Sequence, residues 1–314
     1  MFQVAGLVIP LFGLILLGFI AGKIKRIPVE GLAWLNFFIV YIALPALFFT
    51  LLSKTPVSEF ANTTFLLNTT LGTFLIFTLC FFIAKAFRKA DTPTATIQGF
   101  TGAYGNIGYL GPPLAIAAFG PQAGVPVALI ICLDNTMHFT LAPALMAIGS
   151  KSPTRLRIVV WNIIVKIFTH PFILASIAGM LAAWHQVQLP NAIDQLLMTL
   201  TTAAAPCALF ALGVTSALRP LKRIPVELSY LVPIKLLVHP LLIYVLVSRI
   251  PGVDTVWVHS AVLLAALPSA TNVFIIAQQY QVWEERASSA VVVSTLFSVV
   301  TVTVYIYMAT NDLI

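Results

Sequence analysis

Gly102 to Leu114 reads GAYGNIGYLGPPL, and the interpretation of this stretch decides the fold. It lies inside an apolar run long enough to cross a bilayer, near 95–118, yet its composition breaks helices. Gly102, Gly105, Gly108 and Gly111 loosen the main chain, and Pro112 and Pro113 each lack an amide donor. In hydrocarbon an unpaired carbonyl or amide costs several kcal/mol, so broken helices persist only inside protein or beside a watery cavity. The ends of two half-helices carry partial charge suited to an ion or a carboxylate. The stretch is therefore read as half of a substrate site in a transporter. The competing reading is a packing helix, because Gly and Pro are common in membrane spans.

Composition fits that setting. The 314 residues are 60% hydrophobic and only 9% charged, with a mean hydropathy of +1.00, values expected of a polytopic membrane protein. The net charge of +7 does not indicate a nucleic-acid partner, because the basic residues sit between apolar runs rather than on one face. Cys80, Cys132 and Cys207 lie within apolar runs and read as small core residues. The opening MFQVAG lacks a basic n-region, so the first run is expected to stay as a helix.

Runs of spanning length occur near 4–22, 32–53, 63–86, 95–118, 124–148, 158–184, 193–217, 226–248, 257–279 and 288–310, which predicts ten helices. The odd-numbered connections hold thirteen Lys and Arg against two in the even-numbered ones, with Lys166 and Lys235 inside spans. By the positive-inside rule the odd connections face the cytoplasm and both termini lie on the other side of the cell membrane.

The pattern also repeats. Pro10 and Gly18 recur as Pro171 and Gly179, and Leu44-Pro45-Ala46-Leu47-Phe48 is echoed by Ala205-Pro206-Cys207-Ala208-Leu209-Phe210, at a constant offset of 161. Asp91 before the fourth span has Asp254 before the ninth, and near that offset Gly105-Asn106 falls on Pro268-Ser269. Two halves, 1–150 and 151–314, thus carry five spans each, and an odd number makes the second half inverted. Inverted repeats with two interrupted spans are a signature of secondary transporters.

With these residues in view, the chain resembles the auxin efflux carrier family of permeases, within the wider bile-acid carrier superfamily. The resemblance rests on Ala43-Leu-Pro-Ala-Leu-Phe-Phe49, Gly105-Asn-Ile-Gly-Tyr-Leu-Gly-Pro-Pro-Leu114, Lys235-Leu-Leu-Val-His-Pro240, Ala266-Leu-Pro-Ser269 and Ala277-Gln-Gln-Tyr280. It implies an all-α fold of ten spans in two inverted five-helix repeats, with the fourth and ninth spans broken and crossing. It also implies a scaffold of spans 1, 2, 6 and 7 that pairs into a homodimer, and a mobile, elevator-like transport unit of spans 3–5 and 8–10. Where some relatives carry Pro before the fourth-span Asn, this chain has Gly105, so its break is expected to come from glycine flexibility and from Pro112-Pro113 downstream.

Candidate substrate ligands cluster at the two breaks. Asn106 and Ser269 lead, with Gly105, Tyr104, Thr271 and Asn272 beside them, and Tyr109 is read as packing. Gly102, Gly108, Gly111, Pro112, Pro113 and Pro268 are hinge candidates. Asp134 is the carboxylate deepest in an apolar run, with Asn135 next to it and His138 one turn on, which makes it a coupling or orienting group or a structural one. Lys235, with His239 on the same face, is assigned the positive charge that meets a substrate carboxylate, with pairing to Asp134 as the alternative. Lys166 and His170 form a similar pair placed in the scaffold, with Lys166 snorkelling. Pro45 and Pro206 are expected to kink scaffold helices.

The expected activity is alternating-access transport of a small organic anion such as malate, malonate or an auxin-like acid. A sodium-coupled bile-acid-type carrier and a transporter-like sensor or channel are the alternatives. No Gly-x-Ser-x-Gly elbow, His-Glu-x-x-His motif or Walker loop occurs, which argues against an enzyme. No metal centre or cofactor is expected beyond a coupling proton, or a sodium ion near the crossing.

Overall fold

The structure, a computed structural model, describes residues 2–25, 29–149, 156–218, 224–311 and 313–314. The connection residues Arg26, Lys151, Arg155, Arg219, Lys222 and Arg223, and the boundary between the two sequence halves at 150–151, lie outside the described residues.

Helix dominates and the described residues contain no strand. In order the helices are α1 (Phe2–Lys25), α2 (Ala33–Phe38), α3 (Leu44–Ser53), α4 (Thr63–Arg88), α5 (Thr92–Ala103), α6 (Gly111–Phe119), α7 (Gly124–Gly149), α8 (Leu156–Phe168), α9 (Pro171–Trp184), α10 (Asn191–Leu218), α11 (Leu228–Pro233), α12 (His239–Val247), α13 (Thr255–Ala266), α14 (Thr271–Gln279) and α15 (Glu284–Thr310). Six continuous helical segments among the described residues are long and apolar enough to cross a bilayer, seven when the bent α8–α9 pair is counted as one. The protein is a polytopic membrane protein.

Prolines shape the spans in three ways. A π-helical turn at Ile39–Ala43 joins α2 to α3 ahead of Pro45, and another at Ile234–Val238 joins α11 to α12 ahead of Pro240. Each widened turn accommodates a ring that has no amide to donate and that crowds the carbonyl four residues back. The run 158–184 is not straight: it bends by 55° between α8 and α9, where His170 is extended ahead of Pro171. Pro206 lies within the continuous α10.

Glycine sets how closely the helices approach. A methyl on Gly18 of α1 would overlap the Phe210 carbonyl of α10, and one on Gly213 of α10 would overlap the Ile15 carbonyl of α1. Gly179 of α9 meets Leu52 and the Phe49 carbonyl of α3 at 3.0 Å in the same way. Backbones in van der Waals contact are the usual means of holding helices together in lipid. Beside these pairs, α4 packs on α5 and α12, and α14 on α15. Buried Glu227, just before α11, draws in Arg88 at 3.1 Å and Arg286 at 2.7 Å, tying the ends of α4 and α15 together.

Candidate functional site

Two interrupted helices meet at the centre. Asp91 caps α5 through the Thr94 amide, at 2.9 Å, and Asp254 caps α13 through the Val256 amide, at 2.7 Å. The hydrogen bonds from Thr94 hold the Asp91 carboxyl below the usual carboxylate range. The chain leaves α5 at Tyr104 and does not resume α-helix until Gly111; it leaves α13 at Leu267, extended before Pro268, and resumes at Thr271. Across this gap the Asn106 amide donates to the Pro268 carbonyl at 2.7 Å and the Ala270 amide to the Tyr104 carbonyl at 2.8 Å. Gly105 and Ser269 thus form an antiparallel bridge between the two breaks, and four main-chain groups freed by the interruptions satisfy one another.

The cause of the first break differs from the sequence expectation. Pro112 and Pro113 stand in the first turn of α6, where a missing amide is harmless, so they start the second half-helix rather than break the first. Gly102 lies inside α5 and is a packing residue, since a methyl there would run into Cys80 Sγ. A methyl on Gly111 would lie 2.7 Å from Leu264 Cδ2. A methyl on Gly105 would lie 3.1 Å from the Leu264 carbonyl and 3.2 Å from Lys235 Nζ. Gly102, Gly105 and Gly111 serve close approach, a methyl on Gly108 would meet only Phe172 at an ordinary 3.5 Å, and none of the four has a positive φ.

Side chains brace the crossing. The Tyr104 hydroxyl donates to Asn135 Oδ1 at 2.7 Å and accepts from Asn272 Nδ2 at 2.9 Å, linking α5, α7 and α14. Its ring stacks on the buried His138 imidazole at 3.9 Å. Ser269 donates to the Thr101 carbonyl at 2.7 Å, and its amide is held by Ser294 Oγ at 3.1 Å.

In front of the crossing lies a cavity of about 600 Å³. Tyr104, Gly105, Asn106, Gly108, Asn135, Thr271 and Asn272 line it, so these predicted residues are brought together. Ser269, Asp134, His138, Lys235 and His239 do not line it. Asn106 is 3% exposed and its Nδ2 has no hydrogen-bond partner. Tyr109, read as packing, lines the cavity and donates to Asn36 Oδ1 at 3.4 Å. His170, assigned to the scaffold, lines it too. Asn36, Thr215 and Gln278 were missed; the available signal was a lone amide or hydroxyl within an apolar run.

Behind the crossing the remaining candidates form a chain. Fully buried Lys235 donates to the Ala265 carbonyl at 2.6 Å. That oxygen is free because the amide four residues on, at Ser269, is held by Ser294 instead. Lys235 also meets His239 Nδ1 at 3.1 Å, His239 Nε2 meets Thr73 Oγ1 at 3.4 Å, and Thr73 lies 3.2 Å from Asp134 Oδ2. A single direction of donation from ammonium to carboxylate satisfies every link, with His239 protonated on Nε2. Asp134 Oδ1 remains unpartnered, beside a void of about 10 Å³. Lys235 is thus joined to Asp134 through two side chains and does not reach the front cavity. The two nitrogens of His138 are buried without partners, so no Asp134–His138 side-chain bond forms.

A second cavity, of about 760 Å³, opens between Lys54, Gln122, Asp254 and Met198, at the end of the bundle where the even-numbered connections lie. The front cavity reaches the opposite end, past Ala33, Thr215 and Gln278.

Comparison with known proteins identifies relatives among membrane transporters. The family described as "Membrane transport protein" matches residues 3–152 and 134–306. A Rhizobium meliloti (strain 1021) protein named "Putative malonate transporter" is 51% identical over 98% of this chain and 96% of its own length. The Escherichia coli (strain K12) "Uncharacterized transporter YfdV" is 25% identical over 97% of each chain, and a rice (Oryza sativa subsp. japonica) "Probable auxin efflux carrier component 9" is 26% identical over 62% of this chain and 47% of its own. This chain belongs to the membrane transport protein family, the auxin efflux carriers and their bacterial relatives, and is a transporter rather than an enzyme.

Proposed function

We propose that the protein is a secondary transporter that carries a small carboxylate, of the size and charge of malonate, through the crossing by alternating access. The observation that carries this reading is the buried Asn106 amide, a donor without a partner facing a cavity at the point where two helices break. A buried donor left unpaired costs roughly 1–3 kcal/mol and is expected to have a ligand. Two helix starts add to it. Leu110 and Gly111 donate to the carbonyls of Asn106 and Ile107, so helical bonding begins at Asn106 and frees the amides of the following turn. The first turn of α14, at Thr271 and Asn272, borders the same space. Helix N-termini favour anions. The relative named as a malonate transporter supports the carboxylate class.

In this reading the ten spans form two inverted five-helix repeats. Gly18 and Gly179, equivalent in the sequence repeat, make equivalent close contacts, α1 on α10 and α9 on α3. Spans 1, 2, 6 and 7 are the scaffold and the dimer surface, and spans 3–5 and 8–10 move against them. Two cavities at opposite ends of the bundle suit such exchange; with the odd connections cytoplasmic and the termini outside, the front cavity faces the cytoplasm. Asp134, Thr73, His239 and Lys235 form the coupling path, for a proton or a sodium ion, behind the substrate. The test is counterflow in proteoliposomes loaded with unlabelled malonate. Transient accumulation of external labelled malonate above equilibrium is expected; simple equilibration, or no flux, contradicts the proposal.

A further inference from the structure

The front cavity has an unusual wall for an anion site. Among its described lining residues there is no Lys, Arg, Asp or Glu, and one imidazole, that of His170. His170 does not belong to the crossing. It stands at the bend between α8 and α9, in the part of the bundle that packs with α3, and so faces the cavity from another wall. Its ring is wedged between Phe139, at 4.8 Å between centroids, and Phe172, at 4.9 Å and nearly perpendicular. Two aromatic neighbours fix its orientation, and its Nδ1 is buried with no hydrogen-bond partner. One turn earlier, exposed Lys166 lays its ammonium over the other neighbour, Phe139, 5.1 Å from the ring centre. Lys166 does not line the cavity, but it places a fixed positive charge next to the His170 site.

Beside the neutral amides and hydroxyls of Asn36, Tyr41, Tyr109, Thr215 and Gln278, the cavity therefore offers two distinct polar places, the crossing and the His170 imidazole, and Val40, Phe172 and Phe274 are among its apolar wall. A monocarboxylate uses the first alone. We propose that His170 is a specificity-determining residue that donates an imidazole N–H to the distal carboxylate of a short dicarboxylate whose other carboxylate is held at Asn106, with Lys166 supplying positive potential to that distal end. The proposal rests on the reading of the crossing as the carboxylate site and adds to it the class of substrate. The pairing also lets the substrate bridge the two parts of the bundle whose relative movement the proposed mechanism requires, because in that reading Asn106 belongs to the moving fourth span and His170 to the scaffold's sixth.

The experiment measures binding of malonate, succinate, acetate and phenylacetate to purified wild-type protein, to His170→Ala, to His170→Gln and to Lys166→Met. The wild type is expected to bind a dicarboxylate at least tenfold more tightly than either monocarboxylate. His170→Ala is expected to erase that preference by weakening dicarboxylates tenfold or more while leaving acetate within twofold. His170→Gln, which keeps an N–H donor, is expected to recover part of the loss and guards against a folding artefact in the alanine variant. Lys166→Met is expected to weaken dicarboxylates two- to fivefold and to flatten their salt dependence. An unchanged dicarboxylate-to-monocarboxylate ratio in His170→Ala overturns the inference while leaving the crossing site intact. Wild-type protein that binds phenylacetate better than malonate overturns it too. Loss of all four ligands in Asn106→Ala, with the ratio unchanged in His170→Ala, would separate the two claims.

Discussion

Asn106→Ala is the perturbation in which a binding role and a structural role predict opposite signs. The Asn106 main chain donates to the Pro268 carbonyl at 2.7 Å, and alanine keeps that bond. The side chain contributes Nδ2, buried and unpartnered in the absence of ligand. Truncation therefore removes an unsatisfied donor, relieving a penalty of about 1–3 kcal/mol, against the loss of a few packing contacts. The ligand-free protein should be as stable as wild type or slightly more so, with Tm within about 3 °C of wild type or above it. Binding should respond in the other direction. An N–H donated to a carboxylate is worth about 1.5–3 kcal/mol, and about 1.4 kcal/mol is a factor of ten, so malonate should bind about 10- to 150-fold more weakly. Calorimetric titration of the detergent-purified variant gives Kd, and a thermal melt without ligand gives stability. Wild-type affinity would refute the assignment. So would a large fall in Tm, which would make the side chain a structural brace.

Gly102→Ala should destabilise by about 1–3 kcal/mol, because its methyl lands on Cys80 Sγ in a full core; Cys80→Ala in the same chain should restore most of the loss in a thermal melt. Lys235→Met should cost about 1–3 kcal/mol by stranding the Ala265 carbonyl that Lys235 now satisfies, and should lower malonate flux although Lys235 touches no part of the front cavity; an unchanged melt would remove its structural role. Asp91→Ala should cost about 1 kcal/mol as a lost helix cap. Because the folded Asp91 carboxyl titrates lower than in the unfolded chain, its contribution is present above the unfolded value, about 4, and fades as pH falls through the folded one, so wild type and variant should converge in acid melts.

Much of the crossing was legible in the sequence because its causes are local. Gly-x-x-Gly around Asn106 and Pro268 in Leu267-Pro268-Ser269-Ala270 weaken a continuous helix in each span, and the matching Asp91 and Asp254 caps fix where the half-helices begin. The break's position was less legible, because Pro112-Pro113 reads as a breaker by composition but is tolerated in a first helical turn. Lys235 was legible as a cation in a span with two candidate partners, a substrate carboxylate or Asp134. Its route to Asp134 through His239 and Thr73 joins separate spans, however, and its π-helical turn at Ile234–Val238 left no mark in the apolar run. His170 was placed in a scaffold wall because 158–184 reads as one uninterrupted apolar run; the bend that turns it to the cavity depends on the extended residue before Pro171. The Tyr104 strut to Asn135 and Asn272, and the clamp of Arg88 and Arg286 on Glu227, join residues distant in sequence and left no local pattern.

The most direct measurement is the structure of the protein with malonate bound. The account predicts one carboxylate within about 3 Å of Asn106 Nδ2, beside the first turn of α14 in the front cavity. Malonate in the opposite cavity beside Lys54 and Gln122, or paired directly with Lys235, would contradict it.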